Sequence, residues 1–278
     1  MVSRSSIAGV VMMIAVGSSP VAAQGACPAG CDGATDWSGL WLGAGIGVNA
    51  DMIGHDWVET TTGSSTILGK GNDDSRGGVG VFGTVALGYD WQFSERMVLG
   101  AFTDFEFGKS EHSEKDNWYA AGAGNTGSAG WNIDRNHTWT VGARIGLLTS
   151  NTAMFYGLVG YSQTNMDITV WEQNDTPESQ SFSKSMDFSG LVLGAGLEQD
   201  LGNGFYLKGE YRYTTYGDES MGSHVELDPT KTEADTFDLD SHSFRLSLAY
   251  KFHRDADVIE EVSYKDIPPA PSYSQPYK

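Results

Sequence analysis

The chain has 278 residues and a formal net charge of -19, which argues against a nucleic-acid partner. Thirty-six glycines, 12% aromatic residues and only eight prolines suit strands and turns better than long helices. No run reaches the ~18 apolar residues of a transmembrane helix, but alternating strands can cross a membrane without one.

In chain order, Arg4 precedes an apolar core at 7–16, and Val21, Ala22 and Ala23 put small residues where a signal peptidase reads. Residues 1–23 are therefore expected to be a cleaved secretory signal, with a short buried helix as the alternative. A short periplasmic segment, 24–36, follows. Cys27 and Cys31 in Cys-Pro-Ala-Gly-Cys are spaced compatibly with a small disulfide loop in an oxidising compartment. A zinc site there would need more ligands nearby. Lipid attachment at Cys27 is weakly signalled, because the preceding Gln24-Gly-Ala lacks the usual aliphatic residue.

From Trp37 one pattern repeats four times at a period of about 50 residues: a strand, a long polar segment, a returning strand and a tight turn. Hairpins are expected at 38–50 with 78–92, 97–109 with 136–149, 153–165 with 186–200, and 205–217 with 242–252. The returns between hairpins, at 93–96, 150–152 and 201–204, are short. The segments inside them are long and rich in Gly, Ser, Thr, Asn and Asp. Short turns at one end and long loops at the other are the asymmetry of outer-membrane barrels.

Within the strands, apolar residues occupy every second position. The last stretch shows it best: Phe244, Leu246, Leu248, Tyr250 and Phe252 alternate with Ser243, Arg245, Ser247, Ala249 and Lys251. In a soluble sandwich the apolar face would meet a second sheet; in an outer-membrane barrel it would meet lipid. Tyr89, Trp91, Phe205, Tyr250 and Phe252 cluster near the short turns, where an aromatic girdle at the inner interface belongs. The expected fold is all-β: an eight-stranded antiparallel up-and-down transmembrane β-barrel over 37–252, with short periplasmic turns and long extracellular loops.

Asp36-Trp-Ser-Gly-Leu-Trp-Leu-Gly-Ala-Gly-Ile-Gly47 resembles the opening strand of the alphaproteobacterial porin-family, opacity-type small outer-membrane proteins. Ala86-Leu-Gly-Tyr-Asp-Trp91, Trp139-Thr-Val-Gly-Ala-Arg-Ile-Gly146, Leu193-Gly-Ala-Gly-Leu-Glu198, Lys208-Gly-Glu-Tyr-Arg-Tyr213 and Arg245-Leu-Ser-Leu-Ala-Tyr-Lys-Phe252 look like its later strands, in order. The resemblance implies an eight-stranded barrel in the outer membrane of a Gram-negative bacterium. It also implies assembly through a last-strand signal ending in an aromatic, which here would be Tyr250 and Phe252 read by the barrel-assembly machinery. It implies no particular biochemical activity. One departure is a tail, 253–278, in which Tyr264-Lys-Asp-Ile-Pro-Pro-Ala-Pro-Ser-Tyr273 resembles the Pro/Tyr linker that relatives carry before the barrel. Its proline density favours an extended periplasmic segment, with a docking peptide for a periplasmic partner as the alternative.

No catalytic residue, cofactor or metal ligand is assigned. Gly78-Val-Gly-Val-Phe-Gly83 and Gly122-Ala-Gly-Asn-Thr-Gly127 fit G-x-G-x-x-G, but neither has a strand before it and a helix after it. Lumenal glycines are expected instead to make room for large neighbours. His242, near Asp240, Ser241 and Ser243, is the best catalytic candidate, and a histidine at a strand end facing water is the blander reading. Asp73-Asp74 or Asp238/Asp240 could hold calcium, though no EF-hand spacing is present. Acidic loops above an anionic lipopolysaccharide layer could be bridged to it by divalent cations.

The polar phase sends Asp104, Glu106, Arg144, Glu198, Lys208, Glu210, Arg212 and Arg245 into the lumen. Four acids and four bases in so narrow a barrel are expected to form ion-paired layers, with Glu210–Arg245 and Asp104–Arg144 as the pairs. The expected function is a structural barrel that supports the envelope and displays acidic loops, its lumen plugged by charge. A loop-based adhesin and a small diffusion pore are the alternatives.

Overall fold

A computed structural model describes residues 36–119, 126–174, 179–226 and 230–252. The expected signal segment, Cys27 and Cys31, and the tail after Phe252 lie outside the described residues. Nine strands follow one another: β1 (Gly39–Thr61), β2 (Ile67–Gln92), β3 (Met97–Tyr119), β4 (Thr126–Ser150), β5 (Ala153–Asn174), β6 (Ser179–Gly202), β7 (Phe205–Tyr216), β8 (Glu219–Val225) and β9 (Lys231–Phe252). Each pairs antiparallel with its neighbour, and β1 closes on β9 from Leu40–Phe252 to Thr61–Lys231. β7 and β8 both pair with β9 and form one stave interrupted at Gly217-Asp218, so the ring is an eight-stranded up-and-down barrel. Closure leaves no free sheet edge along the membrane.

The turn 201–204 shows why the returns are short. Gly202, Asn203 and Gly204 all have positive φ (86°, 53° and 79°), which glycine and asparagine tolerate, and Gly202 donates its N–H to Asp200 Oδ1 at 2.7 Å. At the other end the strands run on. The polar segments that read as long loops are largely strand: β1 and β2 stay paired from Gly39–Asp90 up to Thr60–Ile67. The repeat therefore holds, but much of each polar segment lengthens the staves instead of looping out.

The apolar alternate residues face outward. Leu42, Ile46, Val85, Leu99, Val141, Ile145, Leu191, Leu193, Leu246 and Leu248 are among those exposed around the ring. Such a continuous apolar belt fits lipid and not water. Two aromatic belts bound it. Phe205, Tyr250 and Phe252 stack edge-on beside the short turns, with ring centroids 5.1 and 5.0 Å apart. Trp139–Tyr161 and Tyr211–His242–Tyr213 lie at the far side. Ten residues of β9 separate His242 from Phe252. On tilted strands that is roughly 25 Å, the height of an outer-membrane apolar band.

Above that belt the ring splits. The β2–β3 ladder ends at Val81–Lys109 and the β6–β7 ladder at Gly190–Tyr216. Beyond them, β8-β9-β1-β2 faces β3-β4-β5-β6 across an apolar core. Ile53, Met221, Phe237 and Leu239 come from the first sheet; Trp131, Ile133, Met166, Ile168, Met186 and Phe188 come from the second. Gln180 Nε2 donates to the Val225 carbonyl at 2.6 Å, and Lys184 Nζ to the Ser220 and Met221 carbonyls at 3.0 and 3.1 Å, which ties β6 to β8 across one seam.

Candidate functional site

Inside the membrane-level ring the side-chain phase of each strand puts charge into the lumen. Asp104, Glu106, Arg144, Glu198, Lys208, Glu210, Arg212 and Arg245 all project there and are buried. Four further groups join them: Asp51, Asp90, Arg135 and Lys251. With them the lumen holds six acids and six bases, arranged in tiers.

The lowest tier centres on Arg144. Its Nε and Nη2 donate to the two oxygens of Asp90 at 2.9 and 2.6 Å, and its Nη1 donates to Glu198 Oε2 at 2.8 Å. Lys251 Nζ lies 3.0 Å from Asp90 and 3.5 Å from Glu198, and donates to the Trp37 carbonyl. Lys208 Nζ is 3.9 Å from Glu198 and 3.6 Å above the Trp41 ring. In the middle tier Arg212 holds Asp104 at 2.7 Å and also pairs with Glu210. Arg245 reaches Asp104 at 3.3 Å, Glu106 at 2.6 Å and Glu210 at 3.6 Å. Tyr156 donates its hydroxyl to Glu210 at 2.8 Å. In the top tier Asp51 accepts from Arg135 at 3.0 Å, Ser241 at 2.6 Å and Asn49 at 2.6 Å. A bidentate, charge-assisted pair such as Arg144–Asp90 is the strong kind of hydrogen bond.

Glu210 and Arg245 are direct cross-strand partners, as the alternation implies. Asp104 and Arg144 are not paired. Arg144 sits opposite Gly100 and Asp104 opposite Thr140, four residues further along the ladder, or roughly 13 Å. Apolar faces fix which side a residue points to but not the register of β3 on β4, whose connection is long. Asp90 and Lys251 lay within reach of sequence reasoning: each alternates with girdle aromatics, Tyr89 and Trp91, and Tyr250 and Phe252.

Glycines make the room that this packing needs. A Cβ on Gly88 would run into the Trp41 indole, one on Gly47 into the Phe82 ring, and one on Gly196 into the Tyr156 ring. The freed rings then serve the charges: the Arg144 guanidinium lies 4.9 Å from the centroids of both Trp41 and Tyr156, and Arg245 lies 5.4 Å from Phe82. Gly78–Gly83 is β2 strand, with no helix after it. His242 points outward between Tyr211 and Tyr213, whereas Ser241 and Ser243 point into the lumen. Successive residues of a strand cannot share a face, so Ser241 and His242 form no dyad.

A second polar cluster lies above the apolar core. A cavity of about 550 Å³ is lined there by Trp57, Trp131, Trp171, Phe182, His55, His224, Glu226 and Glu233 among others. His55 Nε2 is 2.8 Å from Asp235 Oδ1, and His224 Nδ1 is 3.3 Å from Asp235 Oδ2. Burial, then the charges of Asp235 and Glu226, push Glu233 up to about 8; burial and Glu59 push Glu226 up to about 7. Sequence reasoning missed this cluster because only the pairing of β1, β8 and β9 assembles it.

The chain is 29% identical over 219 residues to the 31 kDa outer-membrane immunogenic protein of Brucella melitensis, across 76% of this chain and 84% of that protein. The Brucella suis protein of the same description matches equally. Among solved structures, OprG from Pseudomonas aeruginosa covers 78% of this chain and 97% of its own, at 13% identity and a TM-score of 0.45. Neisserial surface protein A covers 74% and 97%, at 14% identity and a TM-score of 0.33. Residues 9–252 match the outer membrane protein beta-barrel domain family. The chain belongs to that family, as a small barrel of the Gram-negative outer membrane.

Proposed function

We propose that the protein is a non-enzymatic structural barrel that supports the envelope and displays an acidic surface, and that its lumen conducts nothing. The observation that carries this is the filling of the lumen. The cavities left among Trp41, Asp104, Arg144, Lys208, Glu210 and Arg245 amount to about 20 Å³, and those beside Arg135 and Ser162 to about 10 Å³. That is room for about one water and none for a hydrated ion in transit. Purified protein in planar bilayers should therefore give no steady conductance, and cells lacking it should become detergent-sensitive. Steady conductance from the wild-type protein would overturn the plug, and unchanged detergent resistance would overturn the envelope role.

The partners we propose meet the outer surface of the barrel. Tyr250 and Phe252 lie on the lipid face at the β1–β9 seam, where closure is completed. We assign them the signal read by the barrel-assembly machinery. Phe252→Ser should lower the inserted fraction more than removal of 253–278, and the reverse order would place the signal in the tail. On the outer face Asp238 is raised by burial and by Asp218, Asp240 and Asp56, a crowding that divalent cations shared with lipopolysaccharide would relieve. Surface recognition is the second reading. The folded extension above the belt favours it, as does the immunogenicity for which the Brucella relatives are named. Grafting 51–78 and 218–240 together onto a neutral barrel would separate display from recognition.

A further inference from the structure

We propose that His55, His224, Glu233 and Asp235 form a binding site for a borderline divalent cation of the zinc class, on the wall of the extracellular cavity. Three adjacent strands build it. Glu233 and Asp235 stand two apart on β9, so both carboxylates leave the same face of the strand. His224 of β8 is the cross-strand partner of Glu233, and Trp57 of β1 is that of Asp235, which brings His55, two residues back on β1, alongside. One ligand atom each from His55, Glu233 and Asp235 lies within 4.8 Å of the others. His224 Nδ1 stands 3.3 Å from the second Asp235 oxygen, Oδ2.

The cluster is built but only partly satisfied. Asp235 is fully buried, and its Oδ2 has the 3.3 Å approach of His224 Nδ1 without an aligned hydrogen bond; His55 Nδ1, on a residue only 7% exposed, is buried without a hydrogen-bond partner. Leaving such groups unpaired is costly, and a cation would take up the Asp235 carboxylate together with imidazole nitrogens. The rings are held in place: His55 stacks on Phe237 at 4.6 Å and 11°, and His224 on Phe182 at 5.4 Å and 7°. Two imidazoles with two carboxylates suit zinc or its neighbours, whereas calcium and magnesium prefer oxygen alone. Tetrahedral nitrogen and oxygen ligands at about 2.0–2.1 Å from zinc stand ~3.3 Å apart. His55, Glu233 and Asp235, already within 4.8 Å of one another, need close by no more than about 1.5 Å, and His224 swings in from its place beside Asp235. The ligands all come from β1, β8 and β9, so the ion would staple the interrupted stave β8 to the closing seam.

The test uses the full-length protein without a histidine tag, refolded into lipid vesicles and titrated with zinc by calorimetry, with folding read by its heat-dependent electrophoretic shift. One zinc per chain is expected, and cobalt should give the visible bands of a tetrahedral site. His55→Ala and His224→Ala should each weaken binding by more than about 10-fold, since even outer-shell changes cost 10–100-fold. His242→Ala, on the lipid face, should leave binding unchanged, and calcium should not compete. Zinc bound equally well by the folded His55→Ala/His224→Ala double variant, or no zinc bound by the wild type, would overturn the proposal. If His55→Ala fails to fold, His224→Ala alone decides.

Discussion

The same strands enclose two regions of opposite chemistry. At membrane level Phe244, Leu246 and Leu248 of β9 face out, while Arg245 and Lys251 face in. Higher on the same strand Phe237 and Leu239 are buried inside, while Asp238 faces out. β5 does likewise: Phe155 and Val159 are exposed below, and Met166 and Ile168 are buried above with Thr169 outside. Along β9 the phase never slips: its odd-numbered residues point inward along the whole length, whereas β4 shifts phase at a bulge between Arg135 and His137, so that Ile133 above and Thr138 below both face in. What changes is the solvent outside. Lipid demands an apolar exterior and leaves the polar residues to pair within, whereas water restores ordinary burial. The membrane boundary is thus a level at which the two faces of each strand exchange character, and not the level at which strands end. The soluble-sandwich arrangement that alternation alone allowed describes the upper region, and the barrel describes the lower.

The largest effect should come from breaking the lower region at its best-paired charge. Arg144→Met leaves Asp90 and Glu198 facing each other with only Lys251 and Lys208 near them. A stranded buried charge costs about 3–5 kcal/mol. Urea unfolding in vesicles should show a loss of that order, and a loss below about 1 kcal/mol would mean the lumen is wet and loosely paired.

The upper region should fail differently. Ile168→Ala removes most of a fully buried side chain from the apolar core, a cost of about 2–4 kcal/mol. The loss should be local: amide exchange should accelerate in the upper halves of β4, β5 and β6 while the membrane-level halves stay protected. Exchange that rises equally along the whole of β5 would show that the two regions unfold as one.

Paired outward substitutions sharpen the contrast further. Leu246→Arg places a charge in the lipid belt and should cost about 2–3 kcal/mol. Asp56→Leu, equally outward but in the upper region, should stay within about 0.5 kcal/mol. It could even help, because Asp56 is one of the charges crowding Asp238. If the two changes cost the same, the boundary does not lie near His242.

These regions were unequally legible in the sequence, for physical reasons. Outward Leu, Val and Phe at every second position announce lipid-facing strands, so the hairpins, their order and the inward side of all eight expected charges are readable. Met166, Ile168 and Val170 carry the alternation of β5 onward, but Asp and Thr separate them, and Ser-rich chain surrounds them. Mean polarity there resembles a loop, and only the continued phase marks a strand. Register is less legible still. It depends on barrel stagger, a property of the closed ring, and so Arg144 meets Asp90 and Glu198 instead of Asp104. The His55–Asp235 contact joins residues 180 apart and is visible only once β1 lies against β9.

A second near-neutral change is the most discriminating within the lower tier. Asp90 and Glu198 face three cations there, Arg144, Lys208 and Lys251, so one positive charge is in excess. Lys208 has the weakest claim: it is 3.9 Å from Glu198, while Arg144 and Lys251 both approach closer. Its nearest partner is a ring face, Trp41 at 3.6 Å. Lys208→Met keeps the stem's packing, gives up a cation–π contact worth about 1–2 kcal/mol and removes a desolvation penalty of similar size. The two nearly cancel, and the unfolding midpoint should move by less than about 1 kcal/mol in either direction. Glu210 keeps Arg212 and Arg245, so no acid is stranded. A loss approaching that of Arg144→Met would mean that the tiers are electrostatically one body, with the excess charge below balancing the excess acid among Asp104, Glu106 and Glu210 above.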